Sequence, residues 1–260
     1  MRRPIGVAVA FVSFLLVAPM PLAGQDAPKT QSLPTVKVVM DRYVQAMGGR
    51  DAIFRHKSMT IRETIQVLGK DKSSERVFRL KDGKSSEYIT LSDGRIYQSG
   101  YNGTVGWEID PNSGPALAEG LLVKSIARDA DMYYPAHILD YFSSMEVVDV
   151  AEFEGHTCYH LKGTNKWDKI NEHFYDTSTG LLVGYRFNSA WRGGAGDEHE
   201  VFNDYKEFGG WLIPTRIEHK EPARTIVESV TSLTLDDVDD SAFTLPDSIK
   251  ALLAKKPAKS

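Results

Sequence analysis

Apolar and polar residues alternate along this chain with two different periods. Between Pro34 and Met47, the residues Val36, Val39, Met40, Tyr43, Val44 and Met47 recur at three- and four-residue intervals. This spacing predicts an amphipathic helix that starts near Pro34 and ends at Gly48-Gly49. A short helical turn over 50–55 follows, and from Ser58 the pattern changes to a period of two. Strands are predicted over 58–68, 75–80, 145–151, 157–162, 170–175, 182–188, 199–206, 212–219 and 225–235. The turn pairs Asp82-Gly83, Glu154-Gly155, Thr179-Gly180, Gly193-Gly194 and Gly209-Gly210 fall between strands and mark short, antiparallel connections.

The segment Tyr88–Pro111 adds a three-stranded meander, because Asp93-Gly94 and Asn102-Gly103 are both turn dipeptides that accept positive φ. Two-residue turns at both places would set Leu91 opposite Ile96 and Gln98 opposite Trp107. One face would then carry Ile89, Leu91, Ile96, Val105, Trp107 and Ile109. The meander is followed by an insertion over 115–142. Leu117, Leu121, Leu122 and Ile126 are spaced for a helix, and Pro135 opens a second short one with Ile138, Leu139 and Phe142. The fold expected is therefore α+β: a strongly curved antiparallel sheet or incomplete barrel of about 10 or 11 strands, covered by the N-terminal helix and a helical lid.

Composition changes the picture at the N-terminus. Arg2 and Arg3, the apolar run Ile5–Val17, and Pro19, Pro21, Ala23 and Gly24 form the three parts of a secretory signal over 1–24. The apolar run is too short for a membrane span, and no Cys follows it for lipid anchoring. The expected organisation is a signal over 1–24, a disordered start over 25–32, one β-shell domain over 33–253 and a disordered tail over 254–260, with the mature chain free in the periplasm. The net charge of −4 becomes −6 without the signal, whose charged residues are two Arg. An acidic chain without a basic stripe excludes nucleic acid as a partner. Cys158 is the one cysteine, so stability rests on core packing.

Sites of chemistry are few. No nucleophile elbow, P-loop, zinc-protease motif or dinucleotide fingerprint occurs. His156, Cys158 and His160 share a strand face, but His173, the nearest further ligand, is predicted opposite Tyr159 and facing away. Asp236-Asp237-Val238-Asp239-Asp240 lacks the glycine and distal Glu of a calcium loop and reads as a solvated connection. Asp129 and Asp131 do not face each other on a helix end. Asn102 reads as a turn residue although it opens a glycosylation sequon. No catalytic residue, metal site or cofactor is expected.

Five segments carry a family resemblance: 39–52 (VMDRYVQAMGGRDA), 101–111 (YNGTVGWEIDP), 174–183 (FYDTSTGLLV), Asp204-Tyr205 with 210–214 (GWLIP), and 241–249 (SAFTLPDSI). In this order they resemble the LolA/LolB-type superfamily and its outer-membrane lipoprotein-sorting relatives. The resemblance implies an incomplete barrel closed by helices, with an apolar interior for acyl chains, and a strand arginine that ties the lid shut, for which Arg62 and Arg79 are the candidates. The expected function is a soluble periplasmic carrier or chaperone for a lipid or lipoprotein acyl chain, with an envelope membrane protein as possible donor or acceptor. Its wall would be Ile89, Leu91, Ile96, Val105, Trp107 and Ile109. Its lid would be Leu117, Leu121, Leu122, Ile126, Tyr133 and Tyr134. The alternative is an envelope interaction or sensor module with a filled core.

Overall fold

In the computed structural model, the residues described are 32–167, 169–187 and 198–255. The signal, residues 25–31, the Gly193-Gly194 turn and residues 256–260 lie outside them. Helix α1 (Val36–Ala46) begins where the Thr35 hydroxyl accepts a hydrogen bond from the Val38 amide, and it buries Val39, Met40, Tyr43 and Val44. It stops at Gly48, whose φ of +108° suits glycine; a Cβ there would lie 2.0 Å from the Gly210 carbonyl oxygen. Helix α2 (Gly49–Arg55) follows at once, and the Leu212 amide bonds to the Met47 carbonyl, tying this corner to the sheet.

Among the described residues, thirteen strands form one antiparallel sheet. The first meander is β1 (Ser58–Val67), β2 (Ser73–Lys81), β3 (Lys84–Thr90), β4 (Ile96–Tyr101), β5 (Gly106–Asp110) and β6 (Gly114–Leu117). Helix α3 (Gly120–Asp129), helix α4 (Tyr134–His137) and a 3-10 turn over Ile138–Tyr141 form the insertion. The second meander is β7 (Phe142–Phe153), β8 (His156–Asn165), β9 (Ile170–Asp176), β10 (Leu182–Phe187), β11 (Glu198–Phe208), β12 (Trp211–Glu221) and β13 (Arg224–Leu235). The pairing of β1 with β13 joins the two halves and leaves β6 and β7 as the free edges, so the curved sheet is an open barrel.

The expected architecture holds, with local corrections. The described residues hold thirteen strands rather than about 10 or 11, and the one with no predicted strand segment is β6, hidden in the sequence by Gly114-Pro115. Leu117 ends β6 instead of beginning the lid helix, and Phe142 opens β7 instead of ending the second helical piece. Helix α5 (Asp247–Lys255) has no counterpart among the expected elements.

Alternation divides the sheet into two faces. The inner face carries Met59, Leu80, Leu161, Tyr175 and Trp211, all buried against α1, α2 and the α4 region. Across the outer face of β1 runs the C-terminal segment. The Thr60 hydroxyl donates to Asp237, the Val238 amide to Ser58 Oγ, and Lys81 to the Val238 carbonyl, while Val238, Phe243 and Ile249 are buried. Asp236 accepts from the Lys57 amide and pairs with His56, and Asp239 caps the 3-10 turn Asp240–Phe243. The acidic run is therefore a clamp on β1, not a merely solvated connection. Further round the outer face, Phe153 and Phe174 stack at 4.0 Å over the buried Cys158 and Val183.

Candidate functional site

The inner face has an apolar end and a charged end. At the apolar end, the Tyr43 ring meets the Tyr175 ring edge-on at 5.1 Å, and Met132, Ala136 and Ile138 from the insertion join the same buried cluster. Asp131 organises that insertion. It accepts from the Tyr133 amide and the Tyr141 hydroxyl, while the Tyr133 hydroxyl donates to the His56 carbonyl. Tyr134 packs 5.0 Å from Tyr141. Of the expected lid residues, Tyr133 and Tyr134 thus sit over the apolar core rather than on a detached flap.

Helix α3 is seated more lightly. Its sequence is amphipathic, yet none of its ten residues is buried, and Leu121 is 47% exposed. It lies over β3, β4 and β5, with Val123 against Gly106; a Cβ at Gly106 would come 3.0 Å from Val123 Cγ2. At its C-terminal end, the Arg128 guanidinium lies 5.6 Å from the Trp167 ring and 5.9 Å from Tyr134 and bonds to Asp129. These cation–π contacts bridge the lid to the β8–β9 turn.

The expected wall divides between the two faces. Thr90 pairs with Ile96 and Ile89 with Tyr97, one residue away from the predicted register, because the loop closes through Leu91 and Arg95 with Asp93 capping the Arg95 amide. Gln98 pairs with Ile109 and Gly100 with Trp107, since Asn102 holds a wider turn by accepting from Thr104 and Val105. The one-residue slip between β3 and β4 reverses faces, whereas the two-residue shift between β4 and β5 does not. Ile89 stays on the inner face, Ile96, Trp107 and Ile109 lie on the outer one, and Leu91 and Val105 fall in loops. Trp107 is buried on the side of the C-terminal segment, where Gly100 makes room for its ring; a Cβ there would lie 2.9 Å from Trp107 Cζ2.

The charged end was not visible in the sequence. Arg76 on β2 makes a bidentate contact with Glu228 on β13, with Nη2 at 2.6 Å and Nη1 at 3.2 Å, and its Nε donates to Glu63 on β1 at 2.6 Å. Glu87 lies 3.7 Å from the same guanidinium and accepts from Ser99. His219 on β12 continues the row. Nδ1 is 3.1 Å from Glu200 and Nε2 is 3.2 Å from Glu228, the latter an ion-pair distance without hydrogen-bond alignment. The Tyr185 hydroxyl donates to Glu200. The charged members of this polar belt come from six neighbouring strands, β3, β2, β1, β13, β12 and β11, with two cations outnumbered by four carboxylates.

Its electrostatics follow from burial and pairing. Burial opposes protonation of His219, but Glu200 and Glu228 outweigh it and raise its pKa to about 10. Burial raises the Glu63 pKa, with Arg76 pulling the other way. Burial also works to raise Glu228, yet His219 and Arg76 prevail and lower it. His173, on the same face among Phe142, Tyr175 and Tyr185, has no carboxylate to help it, and burial depresses its pKa to about 4.

No family model and no curated protein matches the sequence. Among solved structures, a LolA superfamily protein from Nitrosomonas europaea aligns over 82% of this chain and 99% of its own at 15% identity, with a TM-score of 0.57. The chain shares its fold with this protein. A DUF1329 family protein from Desulfovibrio piger aligns over 80% of this chain and 97% of its own at 16% identity and a TM-score of 0.54.

Within this LolA-like shell, Arg62 and Arg79 share the outer face with Thr60 and Val77, away from the helical cover. Arg76, by contrast, lies on the inner face, and it serves the glutamates instead of a lid. The histidine cluster also resolves. Cys158 is buried, with its thiol pKa pushed up to about 12 by burial and by Asp176 and Glu152, so it stays a thiol. His156 pairs with Asp176 and His160 with Asp149. His173 sits opposite Leu161, two residues from the predicted partner but on the predicted face. Among the described residues, no group of three His, Cys, Asp or Glu is placed to hold a metal ion. Asp129 and Asp131 are separately engaged, by Arg128 and by Tyr141.

Proposed function

We propose that this protein is a periplasmic carrier or chaperone that shelters an acyl chain or similar hydrophobic moiety between α3 and the inner face of the sheet. The observation that carries this reading is the lid itself: an amphipathic helix over the open shell that buries none of its own residues. Its apolar stripe, with Leu122, Val123 and Ile126, spans a wall in which Ile89 is accompanied by Glu87, Ser99 and Tyr97, so the lid finds little apolar surface of its own to cover. A chain of a few hundred Å² inserted there would gain several kcal/mol at about 25 cal/mol per Å². Leu121, Leu122, Ile126, Tyr133 and Tyr134 act as the lid in this reading. Export follows from the signal over 1–24, and an envelope membrane protein serves as donor or acceptor.

Titration with a fluorescent fatty acid tests the reading. Saturable binding is expected, and Leu122→Asp combined with Ile126→Asp weakens it by about tenfold or more while the thermal midpoint holds, since neither residue is buried. Binding that ignores both substitutions contradicts it. The alternative, an envelope interaction module with a filled core, draws support from the packed apolar end around Tyr43 and Tyr175, and it predicts no saturable uptake.

A further inference from the structure

The two free edges of the sheet are built differently. β6 is four residues long, contains Pro115 and lies beside α5, so its edge is short, lacks one backbone donor and is partly screened. β7 is twelve residues long, has no Pro, Lys or Arg, touches α1, and among the described residues pairs on one side alone, with β8. Natural edges are blunted by short length, Pro, Lys or a bulge; of these, β7 has bulges, at Ser143 near its start and at Val148 in its middle. Val148 and Val150 are 41% and 47% exposed.

The side chains of β7 also specify a pattern. Glu146 and Asp149 project on the outer face, opposite Lys162 and His160 of β8, and both acids remain exposed. Val147 and Val150 project on the inner face, opposite Leu161 and Tyr159. We propose that β7 is a docking edge that takes an extended segment of another protein in which Lys or Arg alternates with β-branched apolar residues. The outward amides and carbonyls of β7 supply the backbone bonds, the apolar residues of the incoming strand pack beside Val147 and Val150, and its cations meet Glu146 and Asp149. A second copy of this chain is a poor occupant, because pairing two β7 strands gathers Glu146, Asp149 and Glu152 of both copies in one seam. This inference concerns a partner protein and stands apart from the acyl-chain reading.

The test titrates the whole purified chain with a fluorescein-labelled nonapeptide of alternating Lys and Val. The controls are an equally charged peptide interrupted by two Pro and an alternating Glu and Val peptide. The proposal expects the Lys/Val peptide to bind about tenfold or more tightly than either control, to slow amide exchange in β7 and not in β6, and to lose about tenfold in affinity on Val150→Lys with the thermal midpoint unchanged. Equal binding of the Pro-interrupted peptide, protection elsewhere than β7, indifference to Val150→Lys, absence of binding, or a dimer of the unliganded chain that buries β7 would each overturn it.

Discussion

Arg76 and Glu228 sit on strands separated by β1, yet the guanidinium reaches across to hold both carboxylate oxygens, at 2.6 and 3.2 Å, and takes Glu63 of the intervening strand on the way. The Glu63 side chain is 3% exposed. Removing the arginine would strand buried negative charge, which is far more costly than the pair itself is stabilising. Arg76→Met is expected to lower stability by about 3–5 kcal/mol in urea unfolding. Adding Glu63→Gln and Glu228→Gln should recover much of the loss, and a triple variant as unstable as the single one would refute the electrostatic explanation.

The two inner-face histidines respond to pH in opposite directions. The folded pKa of His219, near 10, lies above the ordinary 6.5, so its contribution is complete below pH 6.5 and is lost as pH rises toward 10. His173, near 4 in the folded chain, leaves stability intact above pH 6.5 and costs it as pH falls toward 4, because the unfolded chain takes up the proton first. Each limb is worth up to about 1.4 kcal/mol per pH unit. Urea midpoints measured from pH 4 to 10 should show His219→Gln flattening the alkaline limb and His173→Phe flattening the acid one.

A wedge under the lid should loosen it without unfolding the sheet. The Cβ of Gly106→Ala would press on Val123 and Ala118 at 3.0 and 3.1 Å. Faster amide exchange in α3, with exchange in β1 and β13 unchanged, is the expected result. Gly184→Ala makes the contrast, because its Cβ would meet the Glu200 carbonyl oxygen at 2.1 Å and the Phe153 ring at 2.7 Å. That backbone clash in the central sheet should cost more than about 3 kcal/mol and lower the thermal midpoint of the whole domain.

The lid's far end rests on Arg128. Arg128→Gln removes the contacts with Trp167 and Tyr134. It should cost about 1 kcal/mol or less in global stability while raising the exchange rate of α3 amides.

Much of the architecture was legible because burial leaves a periodic trace. The three- and four-residue spacing of Val39, Met40, Tyr43 and Val44 located α1, and the second meander followed its alternation closely. Strand register was harder to read. Asp93-Gly94 looks like a two-residue turn, but Leu91 and Arg95 close a wider loop through their backbone and the Asp93 carboxylate, and one residue of slip moved Ile96 and Trp107 away from Ile89. The belt leaves no such local trace, for a different reason. Arg76, Glu63, Glu87, Glu200, His219 and Glu228 occupy alternate positions in strands and read as solvent-facing; they meet only when β2, β1 and β13 are set side by side, which is a long-range pairing that local pattern does not encode. Their clue was the concentration of Glu and Arg at alternating positions of otherwise apolar strands.

Native mass spectrometry of the protein, purified gently from its own envelope, tests the central claim most directly. The account predicts a population carrying a bound lipid or acyl-bearing mass that is lost on organic extraction and regained on incubation with fatty acid, with Leu122→Asp and Ile126→Asp together abolishing the regain. A protein found ligand-free in repeated preparations, and taking up no acyl chain when offered one, would contradict it.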